Sequence, residues 1–100
     1  MIHVIATIEV VEGKREAFLE EFRRIIKSVR DEDGCIEYGP AIDVEADFAT
    51  PARPNMVTII EKWASLSALE AHLRAPHMTT YRERAKALIA DVKIQVLKPA

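Results

Sequence analysis

Apolar residues alternate along the first segment of the chain, from Ile2 to Val11: Ile2, Val4, Ala6, Ile8 and Val10 share one face, and His3, Ile5, Thr7 and Glu9 share the other. The period is that of a strand. Because the second face is itself half apolar, both faces are expected to be covered. After Gly13 the period becomes helical, and Lys14 to Arg30 places Phe18, Phe22, Ile25, Ile26 and Val29 on one stripe, with Glu20 and Arg24 as an i,i+4 pair on the solvated side. Asp33 and Gly34 signal a turn. CIEYGPAID, Cys35 to Asp43, follows as a second strand bent or interrupted at Gly39 and Pro40; since Pro40 cannot donate to a ladder, the strand is an edge or is bulged there. Val44 to Asn55, with Phe48, reads as a long connection expected to approach a partner or a pocket mouth. Met56 to Trp63 is a third strand. A helix then starts at Ser65 or at Ser67, which forms a capping box with Glu70, and runs to Pro76. A second helical stretch, Met78 to Ile89, turns Tyr81, Ala85, Leu88 and Ile89 inward, and Val92 to Leu97 forms the last strand.

Strand, helix, strand, strand, helix pair, strand is the order of an α+β, ferredoxin-like split βαβ domain, and all 100 residues are expected to form that one domain. Such a fold has a four-stranded antiparallel sheet with its helices on one face. Apolar residues on the other face predict a homodimer joined sheet to sheet.

Composition narrows the function. With 14 basic and 16 acidic residues the chain has no field that would draw nucleic acid or an anionic membrane. No stretch of 18 apolar residues occurs, so no membrane span is expected, and the first residues lack the pattern of a signal peptide. The single Cys35 forms no internal disulfide and suits a reducing compartment, the cytoplasm by default.

Chemically capable side chains gather between Glu61 and Tyr81, a run that holds the only Trp and two of the three His. Strand alternation puts Glu61 and Trp63 on one face with Val57 and Ile59, while helical spacing turns Leu69 with His72 or Leu73 toward the sheet. His72 is the candidate general base, and Glu61 is a candidate to orient it if the imidazole donates to it. Trp63, Tyr38 and Tyr81 suit a flat aromatic ligand and suit a core equally well. Glu61, His72 and His77 also supply the ligand types of a facial iron triad. Spacing opposes that: positions five apart on a helix point about 140° apart, and Pro76 interrupts the helix between the two His. No phosphate loop, HExxH or nucleophile elbow is present, and no metal or other cofactor is expected.

The chain resembles the antibiotic biosynthesis monooxygenase family, and within it the small bacterial quinol monooxygenases. The resemblance spans nearly the whole sequence. It rests on E.W followed by LEAHL..PHM..Y, from Glu61 to Tyr81, supported by GC..Y.P..D from Gly34 to Asp43 and by the LKPA ending. It implies a dimeric ferredoxin-like fold and a pocket between sheet and helices, lined by Trp63, His72, His77 and Tyr81 with Glu61 and Tyr38 nearby. It further implies oxygenation of a small aromatic quinol or polycyclic phenol by molecular oxygen without metal, flavin or haem. Haem-degrading relatives are similar in fold but use an Asn on the first strand, whereas the only Asn here is Asn55, in a loop. An iron- or haem-dependent oxygenase is therefore disfavoured. The other alternative is a ligand-binding or stress-associated dimeric module without turnover.

Overall fold

Alternation in the first strand becomes a division between core and surface. In the computed structural model, which describes Met1–Ala100, β1 spans Ile2–Val10 and buries Val4, Ala6, Ile8 and Val10. Helix α1 (Arg15–Arg30), β2 (Cys35–Ala41), β3 (Met56–Trp63), α2 (Leu66–Leu73), α3 (Pro76–Ala85), a 3-10 turn over Lys86–Leu88 and β4 (Ile89–Leu97) follow. The strands form one antiparallel sheet in the order β2-β3-β1-β4, which is the ferredoxin-like arrangement. β2 is an edge strand, which tolerates Pro40; its irregularity lies between Cys35 and Glu37 rather than at Gly39 and Pro40.

All the helices lie on the face that carries Val4, Val57, Ile59 and Trp63, and the core fills the space between. Phe18 and Phe22 of α1 meet Tyr81 of α3 edge-on at 6.3 and 5.9 Å, and Phe22 stacks on Tyr38 of β2 at 5.3 Å. Burying each such ring contributes about 1.5–3 kcal/mol. On the surface of α1, Arg24 pairs with Glu21 rather than with Glu20, and Glu21 also accepts from Arg84 of α3, tying the two helices together.

Two boundaries differ from expectation, and of the two caps open to α2 one is used. Ser65 is the cap of α2, its Oγ accepting from the Ala68 amide at 3.1 Å, so the capping box at Ser67 is not used. α2 already ends at Leu73, and Pro76 opens α3, in the first turn where its missing donor costs nothing. Leu88 and Ile89 leave the helical path: Leu88 O accepts from Val11 N, and Ile89 pairs with Val10 across a bulge, so β4 starts three residues early. Both side chains still pack on the core.

The outer face of the sheet mixes Ile5, Ile60 and Leu97 with His3, Thr7, Glu9, Lys62 and Lys93, and nothing within the chain covers it. β4 is also bare on its inner face. Val92, Ile94 and Val96 lie opposite Ile8, Ala6 and Val4, on the core side, yet remain 44%, 58% and 48% exposed because the helices stop short of this strand. The connection from residue 42 to 55 is closed at its base by Arg53, which donates to Asp43 at 2.7 Å and holds that carboxyl down to about 2. Phe48 at its tip is fully exposed.

The turn between α1 and β2 is fixed by Gly34. Its φ of 82° favours glycine, its carbonyl accepts from Ala64 N at 2.8 Å, and a Cβ there would lie 2.6 Å from that of Ala68 on α2. This close approach presents the end of α1 to α2. Gly34→Ala combines left-handed strain with a clash, and should destabilise the chain by about 2 kcal/mol or more, lowering Tm by about 10 °C. Calorimetry checks it, and an unchanged Tm would mean that the turn is free to move away from α2.

Candidate active site

Four of the residues singled out in the sequence meet at one cavity of about 470 Å³ between the sheet and α2–α3: His72, Glu61, Tyr38 and Tyr81. Its remaining wall is mainly apolar, with Ala6, Ile8 and Ile59 as floor and Val92 and Ile94 of the uncovered strand at one side. Strand period explains Tyr38, Ile59 and Glu61, which β2 and β3 turn to the helix side in register, and helix period explains Leu69 and His72, the buried pair of α2. Leu73 also lines the cavity, at its rim, where it is 46% exposed.

Trp63 and His77 do not line this cavity. Trp63 is fully buried behind His72, ring centres 4.6 Å apart, and its Nε1–H donates to Glu61 Oε1 at 2.9 Å. His77 sits in the first turn of α3, on the other side of His72. The expectation that Glu61 orients His72 is also corrected. Glu61 is engaged by its strand neighbour Trp63, and His72 turns its Nδ1 away from the sheet, toward the turn that follows α1. There the partner is Glu32, which the sequence reading misses. His72 Nδ1 lies 3.0 and 3.2 Å from the two carboxylate oxygens of Glu32, and His77 Nε2 lies 2.6 Å from Oε2. Glu32 is one of three consecutive acids before Gly34, a run that reads as a solvated turn. Nothing local marks it as the partner of a residue 40 positions away.

A carboxylate can only accept, so each imidazole nitrogen facing Glu32 carries its proton. His72 thereby keeps its lone pair on Nε2. That atom makes no hydrogen bond to protein, yet no buried side-chain nitrogen or oxygen lacks a partner. Nε2 therefore meets the open space of the cavity that His72 lines. Tyr38 and Trp63 hold the ring in place, the former edge-on at 5.4 Å.

Burial favours the neutral form of the acids that line the cavity with this base. Burial pushes the Glu61 carboxyl up, against the opposing hydrogen bond from Trp63. Burial, reinforced by the negative field of Glu61, raises the phenol of Tyr38 far above the ordinary range, and burial raises that of Tyr81 as well. Neither phenol is a proton acceptor at neutral pH. Both can donate a hydrogen bond into the cavity.

The Glu32, His72 and His77 ligand atoms all lie within 4.8 Å of one another. The expected bad spacing of the two His is thus overturned, and the cause is the helix break. Spacing on one straight helix does not apply when α2 stops at Leu73, Ala75 is extended and α3 restarts at Pro76. The triad that forms uses Glu32, not Glu61.

The model of the antibiotic biosynthesis monooxygenase family matches residues 1–84, and the chain belongs to that family. It is 37% identical over 102 residues, 99% of this chain and 98% of the other, to an Escherichia coli K12 protein named "Probable quinol monooxygenase YgiN". Among solved structures it is similar to PA3566 from Pseudomonas aeruginosa, with a TM-score of 0.84 and 29% identity over 99% of this chain and 93% of that one. Rv0793 from Mycobacterium tuberculosis is similar too, with a TM-score of 0.81 and 28% identity over 99% and 94% of the two chains. No helix is long and apolar enough to cross a membrane.

The raised carboxyl of Glu61 has a measurable sign. Above about 4.5 the unfolded chain gives up this proton while the folded chain holds it, so the group makes stability fall as pH rises through that window. Glu61→Gln keeps an acceptor for the Trp63 indole and removes the titrating group. It should raise Tm at pH 7, and the gain should shrink toward pH 4, where the carboxyl is protonated in both the folded and the unfolded chain. A gain of the same size at both pH values would assign the effect to packing.

Proposed function

We propose that this protein is a monooxygenase of a small quinol or polycyclic phenol, using molecular oxygen, with His72 as the base that takes the phenolic proton. One observation carries the reading: His72 is fixed by Glu32 at Nδ1 and offers Nε2 to a largely apolar cavity. The "quinol monooxygenase" name of the Escherichia coli relative supports the substrate class.

The volume of about 470 Å³ falls within the range of small-molecule sites and accommodates a flat ring system. His72 lines the same space, so a phenolic hydroxyl bound there has Nε2 as its proton acceptor. Proton transfer leaves an electron-rich phenolate, which can pass an electron to oxygen. One oxygen atom then enters the ring and the other leaves as water. All the electrons come from the quinol itself as it becomes a hydroxylated quinone, so the chemistry asks for no outside reductant. The protein supplies a positioned base, for which general acid–base catalysis rates about 10²–10⁴-fold, and an apolar enclosure that keeps bulk water from the anion. The phenols of Tyr38 and Tyr81 are hydrogen-bond donors toward the oxygen atoms that gain charge.

The proposal includes a homodimer. The bare inner stripe of β4, Val92, Ile94 and Val96, is continuous with the cavity wall, and a second copy seated there would shield both the stripe and the cavity's open side.

His72→Ala should lower quinol-dependent oxygen uptake by about 10² or more at neutral pH, and by less as pH rises and the free quinol ionises unaided. Because loss of a buried His can unfold a small domain, circular dichroism accompanies the assay. A folded variant with full, oxygen-dependent turnover would remove His72 from the mechanism. Sedimentation at micromolar concentration tests the dimer, and a single species of 11.3 kDa would refute it.

A further inference from the structure

We infer that Glu32, His72 and His77 form a binding site for a zinc-like divalent transition-metal ion, and that filling it converts His72 from proton acceptor to proton donor at the cavity. The binding half stands on geometry, and the switch rests on the function proposed above.

Two imidazole nitrogens and one carboxylate oxygen are a full set of protein ligands for zinc, leaving a further position to water. They are already gathered. Oε2 of Glu32 lies 3.0 Å from His72 Nδ1 and 2.6 Å from His77 Nε2, and all three ligand atoms fall within 4.8 Å. Tetrahedral zinc with bonds of about 2.0–2.1 Å needs its ligand atoms roughly 3.3 Å apart. The two nitrogens must therefore approach each other, and each must move slightly away from the carboxylate. His72 is held by its neighbours, but His77 is 28% exposed in the first turn of α3 and is free to make that adjustment.

The site faces away from the cavity, since neither Glu32 nor His77 lines it. His77 instead lines a shallower pocket of about 240 Å³ on the outer side of α1 and α3, which gives an ion a route that does not pass through the substrate's space. The metal binds deprotonated nitrogen. The hydrogen that Nδ1 of His72 now donates to Glu32 must therefore leave that atom, and in the neutral ring it moves to Nε2. No proton is lost to solvent, but the nitrogen facing the substrate becomes a donor and can no longer accept. A single ion behind the imidazole reverses the polarity of the atom in front.

The test uses the full chain stripped with a chelator and titrated with Zn2+ alone, in parallel with Co2+ for its visible bands. One ion per chain is expected. Glu32→Gln and His77→Asn, which keep hydrogen-bonding groups but remove a ligand, should each weaken binding by about 100-fold or more, beyond the loss for an outer-shell partner. Absence of binding to the native chain, or native affinity in both variants, would overturn the site. The switch is read without turnover from the ring 15N shifts of His72, whose proton should move from Nδ1 to Nε2 as Zn2+ is added. A ring that keeps its tautomer at saturation overturns it. Zn2+ should also depress quinol-dependent oxygen uptake by about 10²-fold, the contribution of the base, and His77→Asn should escape this relative to its own metal-free rate. Failure of the metal-free protein to oxidise any quinol would count against the proposed function, while the Zn2+ and Co2+ titrations and the 15N shifts still decide the site and the switch.

Discussion

The carboxylate of Glu32 is the contact on which the site depends. It is the only group that reaches both imidazoles, and it decides which nitrogen of His72 faces the cavity. Its position is not a property of α1 itself, since it lies beyond the last helical turn. It is set by the turn at Gly34, whose lack of a side chain lets the chain press against Ala68. Backbone conformation at one glycine thus reaches the chemistry in three steps, from φ to helix contact, from contact to carboxylate, and from carboxylate to tautomer.

Coverage of the sheet supplies the second constraint. Three helices shield β2, β3 and β1 but not β4, which leaves a gap between α3 and the last strand. A cavity in so small a domain would ordinarily be costly, because removing packed atoms from a core loses both transfer and dispersion energy. Here the void lies where the helices cannot reach, so aromatic packing between α1, β2 and α3 stays intact on one side of it. The same gap leaves Val92, Ile94 and Val96 without intramolecular partners, and that joins the question of substrate access to the question of assembly.

Much of the fold was legible in the sequence because its determinants are local. Two-residue alternation located the strands, helical period located α1, and the pairing of Glu61 with Trp63 on one strand face followed from alternation alone. Where context decides, the reading shifted: Pro76 was seen as an end and serves as a beginning, and Ile89 was assigned to a helix because a helix and a strand both bury it. The candidate site was legible only by face. Periodicity states which side chains share a layer, and it set Glu61, Trp63 and His72 between sheet and helix, of which Glu61 and His72 line the cavity and Trp63 lies behind it. It says nothing about which groups meet across layers, so the orienter of His72 was sought on the strand and lies in a turn. The family pattern likewise marked His77 and Trp63 without distinguishing a cavity wall from the groups behind it.

These positions behind the wall explain how one imidazole can be both buried and useful. A His enclosed among Trp63, Tyr38 and Leu69 would be costly if either nitrogen lacked a partner. Glu32 satisfies one nitrogen from outside and the cavity leaves the other to a ligand, so the ring is fixed without being used up. Glu61 cannot serve in Glu32's place. Burial pushes its carboxyl up, and its hydrogen bond is with the Trp63 indole rather than with an imidazole. The division of labour follows from exposure. Glu32, nearer the surface at 14% exposure, accepts from both rings, whereas burial shifts Glu61, Tyr38 and Tyr81 inside the cavity toward their neutral forms. A substrate that surrenders a proton here meets one acceptor among several donors, which is the polarity required to generate and hold a phenolate.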